Sequence, residues 1–237
     1  MRWLQDCGLC KPRCVTGVSR IFLDGGGDGH QAIDLAFASA AREAGVSRVL
    51  YLPYAMIPQR WPECREWFEA TYGGVFAEIT LPEDPAQPMI EGSEIGAIFL
   101  GGGHTGRLLD TLRSAGLDGL IARHVARGGL LCGGSAGAIV CGATTLTAPP
   151  EEHSAQSNDG LNLLRGASVL AHYVDTGAAR RNALDLVREL RATAIWALPE
   201  NSGVRIDATG MPRTLGEHVC LEFKASGDVR SFPPDSE

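Results

Sequence analysis

No run of apolar residues in this 237-residue chain reaches the roughly 18 that a membrane-spanning helix needs. The opening segment, MRWLQDCGLCKPRCVTG, also lacks the apolar stretch of about 7–15 residues that marks a secretory signal. These two absences speak against a membrane partner and lead to the expectation of a cytoplasmic protein. Basic charge is in short supply: 21 Lys and Arg stand against 28 Asp and Glu, for a formal net charge of −7. A uniformly basic nucleic-acid-binding surface is thereby excluded. Internal repeats, low-complexity tracts and a dividing linker are missing as well. Seven cysteines, an odd number in a chain too long to need a disulfide framework, do not form one. Cys7, Cys10 and Cys14 are clustered as C-x-x-C-x-x-x-C, but a zinc site needs a fourth ligand. The nearest histidine, His30, lies past a predicted strand. Residues 1–17 are therefore expected to be an extension outside the fold, residues 18–237 to form the domain, and no metal or other cofactor is expected.

What the chain has in excess is glycine, with 30 residues against a usual share of about 7%. Several of these glycines close short apolar runs. SRIFLDGGG (19–27), RVLYLPYA (48–55), VFAEITL (75–81), GAIFLGGG (96–103) and LLCGGSAGA (130–138) read as buried strands. Between them lie segments with helical spacing: 31–45, 62–74 with Pro at its start and Gly at its end, and the stretches GRLLDTLRSAG and LDGLIARHVARGG. Strands alternating with such helices imply βαβ units and a mainly parallel sheet with helices on both faces. Ligands of such sheets sit beyond the carboxyl ends of the strands. That placement puts Gly25–Gly27, Gly101–Gly103 and Gly133–Gly137 along one rim.

The segment Gly133-Gly134-Ser135-Ala136-Gly137 fits G-x-S-x-G between a strand and a helix. Small neighbours let a serine stand on a strained turn with its hydroxyl exposed above the sheet. The N–H of the following Ala136 then points to where an oxyanion would form. A pentapeptide of this kind also occurs without catalysis, so a base and an orienting acid are required. Of six histidines, His172 follows the apolar run SVLA and His104 follows the triple glycine, so both reach the rim. His124 lies on a charged helix face and is read as solvated, while His153 and His218 lie in polar surroundings. Glu200 ends the apolar run AIWALPE, with Asp159 and Asp175 as competing acids.

At these residues the chain resembles peptidase family S51, the dipeptidase E or aspartyl dipeptidase group with its cyanophycinase relatives. The similar blocks are FLGGGHTGRLLDTLRSAGL (99–117), GGSAGA, DGLNLL (159–164) followed by His172, and ALPENSG (197–203). The resemblance implies a class I glutamine amidotransferase-like fold and a serine-type dipeptidase acting on short peptides. It makes Ser135 the nucleophile, His172 the base and Glu200 the acid, with Asp159 second. It also makes Gly102 or Gly103, together with Ala136, the oxyanion donors. His104, Arg180 and Arg181 are the candidates for substrate binding. In the aspartate-specific members a longer loop after the histidine leads to an arginine that holds the substrate carboxylate. Here Arg180 and Arg181 follow His172 by only eight and nine residues, a departure that separates the peptidase reading from the aspartyl one. Two alternatives stand beside it: a cyanophycinase-like β-aspartyl or other amide hydrolase on the same triad, and a non-catalytic small-anion-binding module. A glutamine amidotransferase is disfavoured, because Cys132 lies within the strand and serine holds the turn. DGGGDGH fits neither a dinucleotide fingerprint nor a P-loop.

Overall fold

Alternate residues of the first strand, β1 (Ile21–Asp24), divide between two apolar layers: Ile21 and Leu23 join one core and Phe22 the other. That is the pattern of a strand buried on both faces. The same holds for β2 (Arg48–Leu52), β4 (Ala97–Leu100) and β5 (Leu130–Gly134), while the short β3 (Glu78–Thr80) is half-exposed at the edge. In the computed structural model, which describes residues 20–27, 31–85, 95–206 and 209–235, these five strands are parallel in the order β3-β2-β4-β5-β1. The extension at 1–17, the Cys7/Cys10/Cys14 cluster and His30 lie outside the described residues.

Helices α1 (Gln31–Glu43) and α2 (Trp61–Tyr72) cover one face of the sheet. Phe37 of α1 lies at the centre of this layer, with edge contacts to Phe22, Tyr72 and Phe99 at 5.6–6.0 Å. Burying one such ring contributes about 1.5–3 kcal/mol. The opposite face carries α3 (Thr105–Ser114), α4 (Leu117–Ala126) and the short α5 (Ala136–Val140). Helices on both faces were expected. No helix among the described residues is long and apolar enough to cross a membrane.

The sequence reading omitted the antiparallel part. Strands β8 (Ser202–Ile206) and β9 (Pro212–Gly216) extend the large sheet antiparallel beyond β1. A second sheet pairs β6 (Ala167–Leu170) parallel to β7 (Ala194–Ala197), then β10 (Leu221–Phe223) and β11 (Val229–Ser231) antiparallel. β6 and β7 share a core with α3–α5, while α6 (Gly177–Glu189) packs Ala183 and Val187 against the other face of the small sheet. Helix α5 lies between the two sheets, packed against β4 and β5 on one side and β6 on the other.

His124 is corrected by the fold. The residue is 4% exposed, and its Nε2 lies 2.9 Å from the Leu130 carbonyl. Leu117, Ile121 and His124 occupy one face of α4, turned inward, whereas the flanking Arg123 and Arg127 look outward.

Candidate active site

The last residue of β5 and the first of α5 leave one position for the turn between them, and Ser135 occupies it at φ 47°, ψ −107°. A side chain held at positive φ costs on the order of 1–3 kcal/mol, so surrounding contacts must enforce it. They are present: the Ser135 N–H donates to the Asp24 carbonyl at 3.0 Å, and α5 is clamped against β4. Gly137 permits that clamp, since a Cβ there would lie 2.2 Å from the Leu100 carbonyl oxygen.

The partners arrive from the small sheet. His172 stands two residues beyond β6, with its N–H donating to Gly25 O at 2.9 Å, and Glu200 stands three residues beyond β7. Asn201 N–H donates to Gly26 O at 2.8 Å and fastens that end. His172 and Asn201 both hold positive φ, 53° and 56°. The imidazole lies directly on Gly26: a Cβ there would meet His172 Cε1 at 2.2 Å, and the glycine itself needs φ +96°. Ser135 Oγ is then 2.7 Å from His172 Nε2, and His172 Nδ1 is 2.9 Å from Glu200 Oε1. A carboxylate only accepts hydrogen bonds, so Nδ1 carries the ring proton and Nε2 is left to accept from the serine hydroxyl. Half of each of the His172 and Glu200 side chains remains exposed, which keeps the line of groups open to solvent and substrate.

Ser135 and His172 open into a cleft of about 490 Å³ whose lining includes Gly26, Gly27, Gly101–Gly103 and Gly134. The three glycine segments therefore do share one rim. A Cβ at Gly102 would lie 3.5 Å from Ser135 Cβ. The Ala136 N–H opens α5 and has no acceptor within the helix.

Other sequence candidates fall elsewhere. Asp159 sits exposed in a loop, accepts from Ser157 Oγ at 3.0 Å and bridges Thr144, so the structure does not bring it to His172. Arg180 makes a two-pronged pair with Asp175, at 2.7 Å for both contacts, which holds the Asp175 carboxyl below its ordinary range. Neither Arg180 nor the exposed Arg181 lines the cleft. His104 caps α3, its Nδ1 accepting from the Arg107 N–H at 3.2 Å, and it too is absent from the lining. Complete burial, with Asp34 and Asp24 nearby, pushes the Cys132 thiol far above its usual range, so no thiolate is offered from β5.

Sequence reasoning passed over the remaining cleft wall: Asp24, Asp34, Tyr51, Met56, Cys64, Trp67, Phe99 and Glu152. Only Asp24, next to the first glycine turn, carried a local signal. Glu152 Oε2 accepts from the Thr105 N–H at 3.2 Å and from its hydroxyl at 2.9 Å, tying a distant loop to the start of α3.

With this geometry in hand, comparison with known proteins is informative. The model of Peptidase family S51 matches residues 21–213. A Peptidase E of Shigella flexneri serotype 5b is 28% identical over 195 residues, covering 78% of this chain and 83% of that protein. A Peptidase E of Salmonella paratyphi C has the same identity and coverage. The crystal structure of a peptidase from an acI-B1 Actinobacterium superposes with a TM-score of 0.71 at 20% identity, covering 93% of this chain and 96% of the other.

Proposed function

The chain belongs to peptidase family S51, and from that premise we propose that it is a serine-type exopeptidase, a dipeptidase that hydrolyses short peptides through an acyl-enzyme on Ser135. The observation that carries this reading is the unbroken hydrogen-bonded line from Ser135 through His172 to Glu200 at the mouth of a peptide-sized cleft. A cleft of about 490 Å³ falls within the range that encloses a small ligand, on the order of 300–1,000 Å³.

In the first half-reaction His172 Nε2 takes the hydroxyl proton while Ser135 Oγ bonds to the scissile carbonyl carbon. The carbonyl oxygen becomes an oxyanion, held by the Ala136 N–H and by Gly102 or Gly103. Glu200 stabilises the imidazolium that results. Collapse of the tetrahedral species breaks the C–N bond, and the His172 proton leaves on the amine. In the second half, water gives a proton to His172 while its oxygen attacks the ester carbon; the bond to Ser135 Oγ then breaks, His172 returns the proton to Oγ, and the acid leaves. Every proton moves between Ser135, His172, the one water consumed and the two products, so no co-reactant beyond water is needed.

The aspartyl specificity is not part of this reading, because Arg180 is forked to Asp175 and stands outside the cleft lining. Ser135→Ala is the direct test. Steady-state assays on a dipeptide panel should show loss of nearly all turnover, down to the residual of about 10³–10⁴ over water left by the remaining groups. The melting temperature should hold or rise, since alanine removes no packing from a half-buried turn. Undiminished turnover in that variant would overturn the mechanism.

A further inference from the structure

The glycine loop proposed to hold the oxyanion rests on side chains that continue the cleft away from Ser135. A Cβ at Gly101 would lie 3.4 Å from both Cε2 and Oη of Tyr51, and one at Gly103 would lie 2.8 Å from Met56 Sδ. Tyr51 is the register partner of Phe99 across β2 and β4, and their ring centroids are 5.6 Å apart. Trp67 of α2 stands 5.9 Å from Phe99 and 6.4 Å from Tyr51. All four side chains line the same cleft as Ser135. Tyr51 and Phe99 are buried, whereas Trp67 is 40% exposed. The polar atoms on this wall stay neutral, because burial raises the pKa of the Tyr51 hydroxyl and of the Cys64 thiol beside it. The lining carboxylates have partners within the protein: Asp24 accepts from the Gly26 N–H, Asp34 from the Tyr72 hydroxyl and Glu152 from Thr105.

Resting on the serine-exopeptidase reading, we infer that the first subsite takes a large apolar N-terminal residue such as phenylalanine, leucine or methionine. The acyl carbon must lie between Ser135 Oγ and the glycine loop for its oxygen to become the held oxyanion. The side chain borne by the next carbon then meets what borders that loop, namely Met56, Tyr51 and the rings beyond. Rings and a thioether offer dispersion contacts and, for an aromatic guest, edge-to-face packing. A charged side chain would exchange water for those neutral surfaces, at a cost that an apolar one avoids.

The test compares kcat/KM for Phe-Ala, Leu-Ala, Ala-Ala, Lys-Ala and Asp-Ala, together with calorimetric binding of Phe-Ala, Ala-Ala and Asp-Ala to the Ser135→Ala protein. Phe-Ala and Leu-Ala should exceed each of the other three by about tenfold to a hundredfold, the range that a side chain of this size supplies in an apolar pocket. Trp67→Ala, which withdraws the exposed ring of the wall, should lower the ratio of the Phe-Ala to the Ala-Ala constant by about fivefold or more. An unchanged ratio would overturn the part given to Trp67. Calorimetry needs neither turnover nor the Trp67 variant, so it decides even if that variant fails to fold or no peptide is hydrolysed. Tighter binding of Phe-Ala supports the subsite whether or not the peptidase reading stands. Equal or tighter binding of Ala-Ala or Asp-Ala, binding of none, or cleavage of a charged peptide as fast as Phe-Ala overturns it.

Discussion

At the scale of single residues, backbone strain and chemistry coincide. Three of the non-glycine residues at positive φ, Ser135, His172 and Asn201, are at the site, and each is fastened by a backbone bond to the Asp24–Gly26 turn. Glu200→Gln should therefore separate geometry from charge. The amide preserves the shape but no longer favours the Nδ1–H tautomer or the imidazolium, and turnover should fall by about 10⁴. An exposed, nearly isosteric change of this sort should leave stability within about 0.5 kcal/mol. Asp159→Asn, remote from His172, should keep turnover within a few-fold of the parent; comparing kcat for the two variants checks the assignment. Gly26→Ala makes a sharper case. Its methyl group would collide with the His172 ring and sit on a backbone shaped for glycine, so activity should collapse although no functional group has been removed. A Gly26→Ala protein with ordinary kcat would mean the imidazole has another seat.

At the scale of elements, the buried parallel strands were legible because they are short continuous apolar runs between helices, as in Ile21-Phe22-Leu23 and Ala97–Leu100. The antiparallel strands were not. β10 and β11 are three residues each, with polar residues interleaved and one side facing solvent, and they leave too short a pattern to stand out. Ser135, His172 and Glu200 were readable from their positions at strand ends. The seat of the histidine was not, since Gly26 meets it only after the small sheet has formed far along the chain. Arg180 was misleading for a related reason: its partner Asp175 is five residues away, just ahead of the Thr176 cap of α6, a spacing that announces nothing. His124 was legible and passed over, because its charged neighbours obscured the Leu117–Ile121–His124 face. Its burial has a measurable effect. Desolvation lowers its pKa, with Arg127 adding to the shift and the bond to Leu130 opposing it. The unfolded chain thus binds a proton near pH ~6.5 that the folded chain takes up only at lower pH. Stability should be full above that value and decline as the pH falls below it. His124→Gln, which still reaches a carbonyl with a donor, should flatten this decline in urea titrations at pH 5 and pH 7 once its own stability cost is subtracted. An unchanged slope would remove His124 as the cause.

For the molecule as a whole, the proposed nucleophile and its proposed base belong to different sheets. Ser135 is carried by β5 of the large sheet, whereas His172 and Glu200 follow β6 and β7 of the small one. The small sheet has short strands and an exposed edge, so it should loosen at lower denaturant than the large sheet. Peptidase activity should accordingly disappear at a lower urea concentration than far-UV circular dichroism, and coincident transitions would refute the idea. The bond between Ser135 and His172 then behaves as a rivet between two plates. Anyone seeking a longer-lived enzyme should gain little by hardening the large plate alone, however far the melting temperature rose. Endurance should instead be engineered in the small plate and where it meets the large one, at Gly25–Gly26 and His172–Asn201.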